Sequence, residues 1–298
     1  MTTRCGYIAI LGAPNAGKST LLNHVTGSKI AIVTPKAQTT RNRILGIAVQ
    51  KGAQMVFMDT PGIYNPREKF EKAMVASAFS GARDADIIML LVDAQKGVCP
   101  NTKHVLERLG TYSCEKLLVL NKVDQVKKEN LLVLTQELFA QGEFSQCFMI
   151  SALTGEGVDA LLAYLAQRLP EGPFLFPEDE MTDMPMRFLA SEITREKLFM
   201  QLRQEMPYQI AVETEEWTEE EKKHGRQVTI RQVVYVRSES QKTIVIGKGG
   251  AMLKKIGEAA RKELEKMLGC KVNLFLFVKV AANWKENRQF YEAIGLEW

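Results

Sequence analysis

The sequence predicts an α/β domain over residues 1–170, built on a mostly parallel sheet with helices on both faces, and a smaller α+β domain over residues 185–298. Three observations lead there. The 298 residues amount to about two domains of ordinary size. Over the first half, short aliphatic runs alternate with longer stretches of helical apolar spacing, as buried parallel strands joined by crossover helices require. Around residues 170–183 the composition turns to Pro, Gly, Phe and acid, which marks a linker at 171–184.

The elements follow in order. Residues 7–11, 54–58, 87–92, 116–120 and 147–150 are aliphatic runs of strand length. Between or after them, residues 19–26, 69–82, 103–112, 129–141 and 157–168 repeat apolar positions at helical spacing. The second domain reads as a helix (185–206), a strand (209–216), a charged turn (219–226) and a strand (227–237). A helical pair flanking residues 247–250, a strand (271–280) and a closing helix (287–293) complete it.

Hydrophobic residues at 46% and charged residues at 25% exclude wholesale disorder. The net charge of +4 is small, yet it is unevenly spread. Residues 178–224 carry 13 acidic and 6 basic groups, whereas residues 225–298 carry 14 basic and 7 acidic. Clustered basic charge is a footprint for polyanions. Five scattered cysteines without a C-x-x-C pair fit neither a disulfide framework nor a zinc site. His24, His104 and His224 lack ligand spacing, and Trp217, Trp284 and Trp298 read as packing residues. The start leaves no room for a signal peptide and the longest apolar runs are too short to span a membrane. A cytoplasmic protein is expected.

Gly12-Ala13-Pro14-Asn15-Ala16-Gly17-Lys18-Ser19, followed by Thr20, matches G-x-x-x-x-G-K-[ST] between a predicted strand and a predicted helix. That context turns backbone N–H groups and a helix N-terminus toward phosphates, with Lys18 adding a full charge and Ser19 a magnesium ligand. Asp59-Thr60-Pro61-Gly62 follows the second strand. Its carboxylate can hold Mg²⁺ and its glycine N–H can meet a γ-phosphate. Asn121-Lys122-Val123-Asp124 ends a later strand and decides the base, because a carboxylate at Asp124 accepts the N1 and N2 hydrogens that guanine alone offers. Asn121 reaches O6 or braces the loop, Lys122 lies over the ring, and Ser151-Ala152 completes the pocket, with the Ala152 N–H expected on O6. These pieces specify a P-loop GTPase domain.

The polar segment Pro35-Lys36-Ala37-Gln38-Thr39-Thr40-Arg41-Asn42 reads as a switch loop in which a threonine completes the Mg²⁺ shell while the γ-phosphate is present. Thr40 is favoured over Thr39. Ile63 occupies the position where Ras-like proteins carry the water-orienting glutamine, so hydrolysis is expected to be slow or to depend on an added group. Asn15 is a candidate ligand for K⁺.

Ile246-Gly247-Lys248-Gly249-Gly250 leads into a basic helix with Lys254 and Lys255. A G-x-x-G loop between helices is the KH signature for single-stranded nucleic acid. Other readings are a tRNA-modification GTPase, a P-loop kinase and a passive RNA-binding module. A modification domain is not visible, the guanine motif argues against the kinase, and intact Lys18, Ser19 and Asp59 argue against the passive module.

On these motifs, together with Gln38-Thr39-Thr40-Arg41, Glu192-Ile193-Thr194-Arg195-Glu196-Lys197 and Pro207-Tyr208, the whole chain resembles the Era family of bacterial GTPases. Ala16 is a mild departure, standing where a valine is expected. The resemblance implies a P-loop GTPase domain followed by a type II KH domain. It also implies GTP/GDP and Mg²⁺ as ligands and a role in 30S ribosomal subunit assembly. The KH domain would bind small-subunit rRNA near its 3′ end. The resemblance further implies a cytoplasmic protein with peripheral inner-membrane association; a monomer is expected.

Overall fold

The computed structural model describes residues 2–296 except 37–38, 67, 204–205, 223–224, 287, 289–290 and 292–295. Gln38, His224, Trp298 and most of the expected closing helix lie outside the described residues. Packing divides the chain into two units, Met1–Asp183 with Tyr291–Trp298, and Met184–Phe290.

The first unit holds a six-stranded sheet in the order β2-β3-β1-β4-β5-β6. Its strands are β1 (Arg4–Leu11), β2 (Ile44–Gln50), β3 (Ala53–Asp59), β4 (Ile87–Asp93), β5 (Glu115–Asn121) and β6 (Gln146–Ile150). All neighbours are parallel except β2, which folds back antiparallel on β3. Helices α1 (Lys18–Thr26), α2 (Lys69–Arg83), α3 (Pro100–Leu109), α4 (Lys128–Gln141) and α5 (Val158–Arg168) follow successive strands. β3 and β4 are buried along their whole length, as strands covered on both faces must be. The register places Ile10 beside Asp59, Asp93 beside Asn121, and Asn121 beside Ile150. The carboxyl ends of the strands thus form one row, and β1 sits where the chain switches direction across the sheet. Ligands of open α/β sheets bind in that crevice.

The segment expected as a linker is fastened to the first unit. Gln54, fully buried, donates from Nε2 to Phe176 O at 2.7 Å and accepts from the Leu175 and Phe176 amides at 2.8 and 3.0 Å. Phe174 and Phe176 pack against the core, and Ile47 N–H donates to Met181 O at 2.9 Å. Burying these aromatics groups the expected linker, up to Asp183, with the first unit. Tyr291, expected in the second domain, groups with the first, where its fully buried ring meets Phe70 of α2 edge-on.

The second unit runs α6 (Met186–Gln201), β7 (Ala211–Lys222), β8 (Gly225–Val236), α7 (Glu239–Ile246), α8 (Ala251–Leu268) and β9 (Lys271–Val280). β7 and β8 are antiparallel and β8 and β9 parallel, in the order β7-β8-β9. This α-β-β-α-α-β order is the type II KH arrangement. The expected turn at 219–226 is mostly strand: Glu219 pairs with Val228, and the pairing continues to Lys222 and Gly225. Exposed pairs such as Arg226–Glu219 at 2.7 Å let a charged sequence continue as a ladder. The helix expected to reach residue 206 stops at Gln201.

Candidate guanine-nucleotide site and nucleic-acid loop

The phosphate loop leaves β1 and enters α1 through Gly17, whose φ is 100°. A side chain there would meet Asn121 Nδ2 at 2.2 Å. Glycine is therefore required both by the left-handed backbone and by close approach. Lys18 is buried and donates from Nζ to Gly12 O at 3.1 Å and Ala13 O at 3.2 Å. Burial pulls its ammonium down to about 8, opposed by the charge of Asp59. An anion in the loop would meet a cation already bent across it.

Three oxygen-bearing side chains converge at the end of β3. Ser19 Oγ donates to Asp59 Oδ2 at 2.6 Å, and Thr40 Oγ1 lies 2.8 Å from Ser19 Oγ and 3.2 Å from Asp59 Oδ2. Asp59 Oδ1 is buried with no hydrogen-bond partner, and burial pushes the Asp59 carboxyl up. A buried carboxylate oxygen without a donor calls for a cation. Hard oxygen donors from Ser19, Thr40 and Asp59 fit Mg²⁺, which takes a few protein oxygens and keeps waters. Thr39 is turned elsewhere, with Oγ1 2.8 Å from Thr34 Oγ1 and donating to Lys36 O at 2.8 Å. Arg41 is buried with its guanidinium 5.7 Å from the Phe70 ring centre. Asn42 is half-buried.

Thr60 is buried and donates from Oγ1 to Ile10 O at 2.8 Å, fastening the strand end. A Cβ on Gly62 would lie 2.8 Å from Pro14 Cα, so the two phosphate-facing loops touch. Ile63 donates its amide to Gly12 O at 3.1 Å and buries its side chain in the core. Asn15 adopts φ 64° and donates from Nδ2 to Pro35 O at 2.8 Å, which ties the phosphate loop to the switch loop.

At the base end Asn121 braces. Its Nδ2 donates to Ala16 O at 2.7 Å and its Oδ1 accepts the Ala152 amide at 2.9 Å. The amide expected on guanine O6 is thus held by Asn121 in this structure. Buried Ser151 accepts the Thr154 amide on Oγ at 3.3 Å. Asp124 is exposed, on the short turn Val123–Gln125. Lys122 has φ 66° and an ion pair with Asp93, whose Oδ2 is 2.6 Å from Nζ. Asp93 was not singled out from the sequence, although its place at the end of a wholly apolar strand, in the same row as Asp59 and Asn121, is the signal that marks it. The described residues contain no cluster of three or more His, Cys, Asp or Glu side chains suited to a metal.

In the second unit α7 ends at Gly247, φ 73°, and α8 begins after Gly250, φ 80°. A Cβ on Gly247 would fall 2.7 Å from Met252 Cβ. Lys248, Gly249, Lys254 and Lys255 are exposed and Ile246 is half-buried, whereas Val245 and Ile256 are buried in the core of this unit. The loop therefore presents backbone amides and lysines from an apolar foundation.

Comparisons agree with this geometry. A family model described as a 50S ribosome-binding GTPase matches residues 7–122, and the KH domain model matches residues 205–285. GTPase Era of Sinorhizobium medicae is 52% identical over 99% of this chain and 94% of its own length. GTPase Era of Agrobacterium fabrum is 50% identical over 100% and 93%. A crystal structure of Era in complex with MgGDPNP and nucleotides 1506–1542 of 16S ribosomal RNA superposes with a TM-score of 0.92 at 39% identity. It covers 98% of this chain and 99% of that one. A variant of Aquifex aeolicus Era bound to GDP and AlF4⁻ gives the same TM-score, identity and coverage. Sharing about half of its residues with such relatives from end to end, the chain belongs to the Era family of GTPases.

Proposed function

We propose that this chain is a GTP-hydrolysing switch that grips the single-stranded 3′ end of small-subunit rRNA through its KH loop and acts in assembly of the 30S subunit. The observation that carries the switch is Thr40, a loop residue whose Oγ1 reaches both Ser19 and Asp59. A Mg²⁺ held by these oxygens would neutralise the phosphate charge that builds up during hydrolysis. Lys18 and the amides at the start of α1 bind the phosphates, Asp124 selects guanine, and Asn121 holds the phosphate and base loops in one frame. Loss of the γ-phosphate removes the reason for Thr40 to stay, and the loop is released.

Ile63 points into the core and cannot orient water, so turnover without an added group is slow. We assign Asn15 to a K⁺ ion that supplies the missing positive charge. The proposal includes a monomer in the cytoplasm with peripheral contact at the inner membrane; no described helix is long and apolar enough to cross a membrane.

Coupling between two sites is reciprocal for binding. RNA affinity measured with a GTP analogue is expected to exceed that with GDP by about tenfold. Equal values would refute the switch while leaving both sites standing.

A further inference from the structure

The G-x-x-G loop accounts for one face of the second unit, and the opposite sheet face carries aromatic side chains without a role. Leu274, Leu276 and Val278 of β9 pack toward the helices. The alternate residues Phe275 and Phe277 point the other way and are 48% and 49% exposed. Their register partners on β8 are Arg231 and Val233. Val233, beside Phe277 on the same face, is fully buried. Lys271 and Lys279 are exposed at the two ends of the same strand.

We propose that Phe275 and Phe277 form a stacking surface for single-stranded RNA, distinct from the groove served by the glycine loop. The inference rests on the reading of that loop as an RNA contact. Three features select RNA as the occupant. Rings at alternate positions of a strand stand about 6.7 Å apart, near the step of an extended single strand, and face-exposed aromatics stack bases whatever their identity. Arg231, Lys271 and Lys279 surround them, with Glu213, Glu215 and Glu216 of β7 on the far side of β8. Arg231 and Lys279 also meet Glu216 at 3.2 Å and Glu215 at 2.7 Å, exposed pairs that a phosphate can displace. Finally, β9 lies at the edge of the sheet, and Leu276 lies 3.6 Å from the position of a Cβ on Gly257 of α8. That contact closes α8 against β9 at Gly257, and the phenylalanines lie beyond it along the open edge of the sheet, where an extended strand can reach them.

The experiment compares two single-stranded RNAs copied from the 3′ end of small-subunit rRNA, one of about four nucleotides, which fills a KH groove, and one of about ten. In the full-length protein Phe275→Ala with Phe277→Ala should weaken the longer RNA roughly tenfold or more, leave the shorter unchanged, and preserve the salt dependence of binding, because stacking releases few counterions. Phe277→Trp should retain affinity, and its fluorescence should be quenched by the longer RNA alone. Equal losses for both lengths, or no loss and no quenching, overturn the stacking surface. If the unaltered protein fails to bind the shorter RNA, the reading of the glycine loop falls instead. A face that binds protein would give no loss for either RNA.

Discussion

Asp93 holds Lys122 by an ion pair of 2.6 Å, with the carboxylate nine-tenths buried and the ammonium partly open. The pair joins the end of β4 to the residue after β5, and Ala94 N–H adds a backbone bond to Asn121 O at 2.9 Å. Asp93 is therefore the side chain that holds Lys122 in place at the end of β5.

Removing that anchor should loosen the nucleotide without altering chemistry. Asp93→Ala is expected to speed GDP dissociation about tenfold, consistent with loss of a charged hydrogen bond, while kcat at saturating GTP stays within about twofold. Stopped-flow release of a fluorescent GDP, alongside single-turnover hydrolysis, measures both. A parallel fall in kcat would show that Asp93 acts on the phosphates.

The choice between the two switch threonines gives a second prediction. Thr40 Oγ1 touches Ser19 and Asp59, whereas Thr39 Oγ1 closes a local turn with Thr34 and Lys36. Thr40→Ala should lower affinity for a GTP analogue about tenfold relative to GDP and raise the Mg²⁺ concentration needed for it. Thr39→Ala should leave that ratio near the starting value. Titrations of both variants with Mg²⁺ decide the matter, and a larger effect from Thr39 would reverse the assignment.

The lysine of the phosphate loop makes affinity depend on pH. Burial depresses Lys18 from 10.5 to about 8, so above pH 8 the empty site holds a neutral amine. Nucleotide phosphates restore the charge, and binding then takes up a proton, so affinity falls as pH climbs through that range. Stability of the nucleotide-free protein moves the opposite way. Between about 8 and 10.5 the unfolded chain holds the proton that the folded one has released, so this group makes unfolding harder as pH rises. Calorimetry of GDP binding in buffers of different ionisation enthalpy, near pH 7 and about pH 8.5, should show uptake only at the higher value. A flat response would remove Lys18 as the titrating group.

The residues that sequence reasoning found share a local signature: glycines at a strand-to-helix turn, or a polar residue ending an aliphatic run. Gly46 interrupts the aliphatic run of β2 and masks its strand pattern. That glycine is set by contact, since a Cβ would come within 2.4 Å of Leu22 Cδ1, and such a contact leaves no local trace. Asp93 was passed over for a related reason. Its partner is 29 residues away, and only the register of β4 on β5 brings them together. The linker looked free because Phe174 and Phe176 sit among Pro, Gly and acid. Their burial depends on Gln54, which offers a buried side-chain amide to a passing backbone. Phe275 and Phe277 were legible as strand residues, but alternation alone does not say which face is uncovered.

Asn15 provides the last prediction. Its backbone is left-handed, a conformation asparagine tolerates better than most residues, and its Nδ2 is engaged by Pro35 O at 2.8 Å. A cation bound by the side-chain oxygen would lie between the phosphate loop and the switch loop. A monovalent ion there would place positive charge where Ile63 offers none. GTP turnover should be severalfold faster in K⁺ than in Na⁺, because the larger ion suits a loose ring of carbonyl and amide oxygens. Asn15→Ala should abolish the difference while GDP affinity changes little. Equal turnover in the two salts would remove the ion from the mechanism. Asn15 would then be a strut between the loops, and its substitution would slow hydrolysis equally in both.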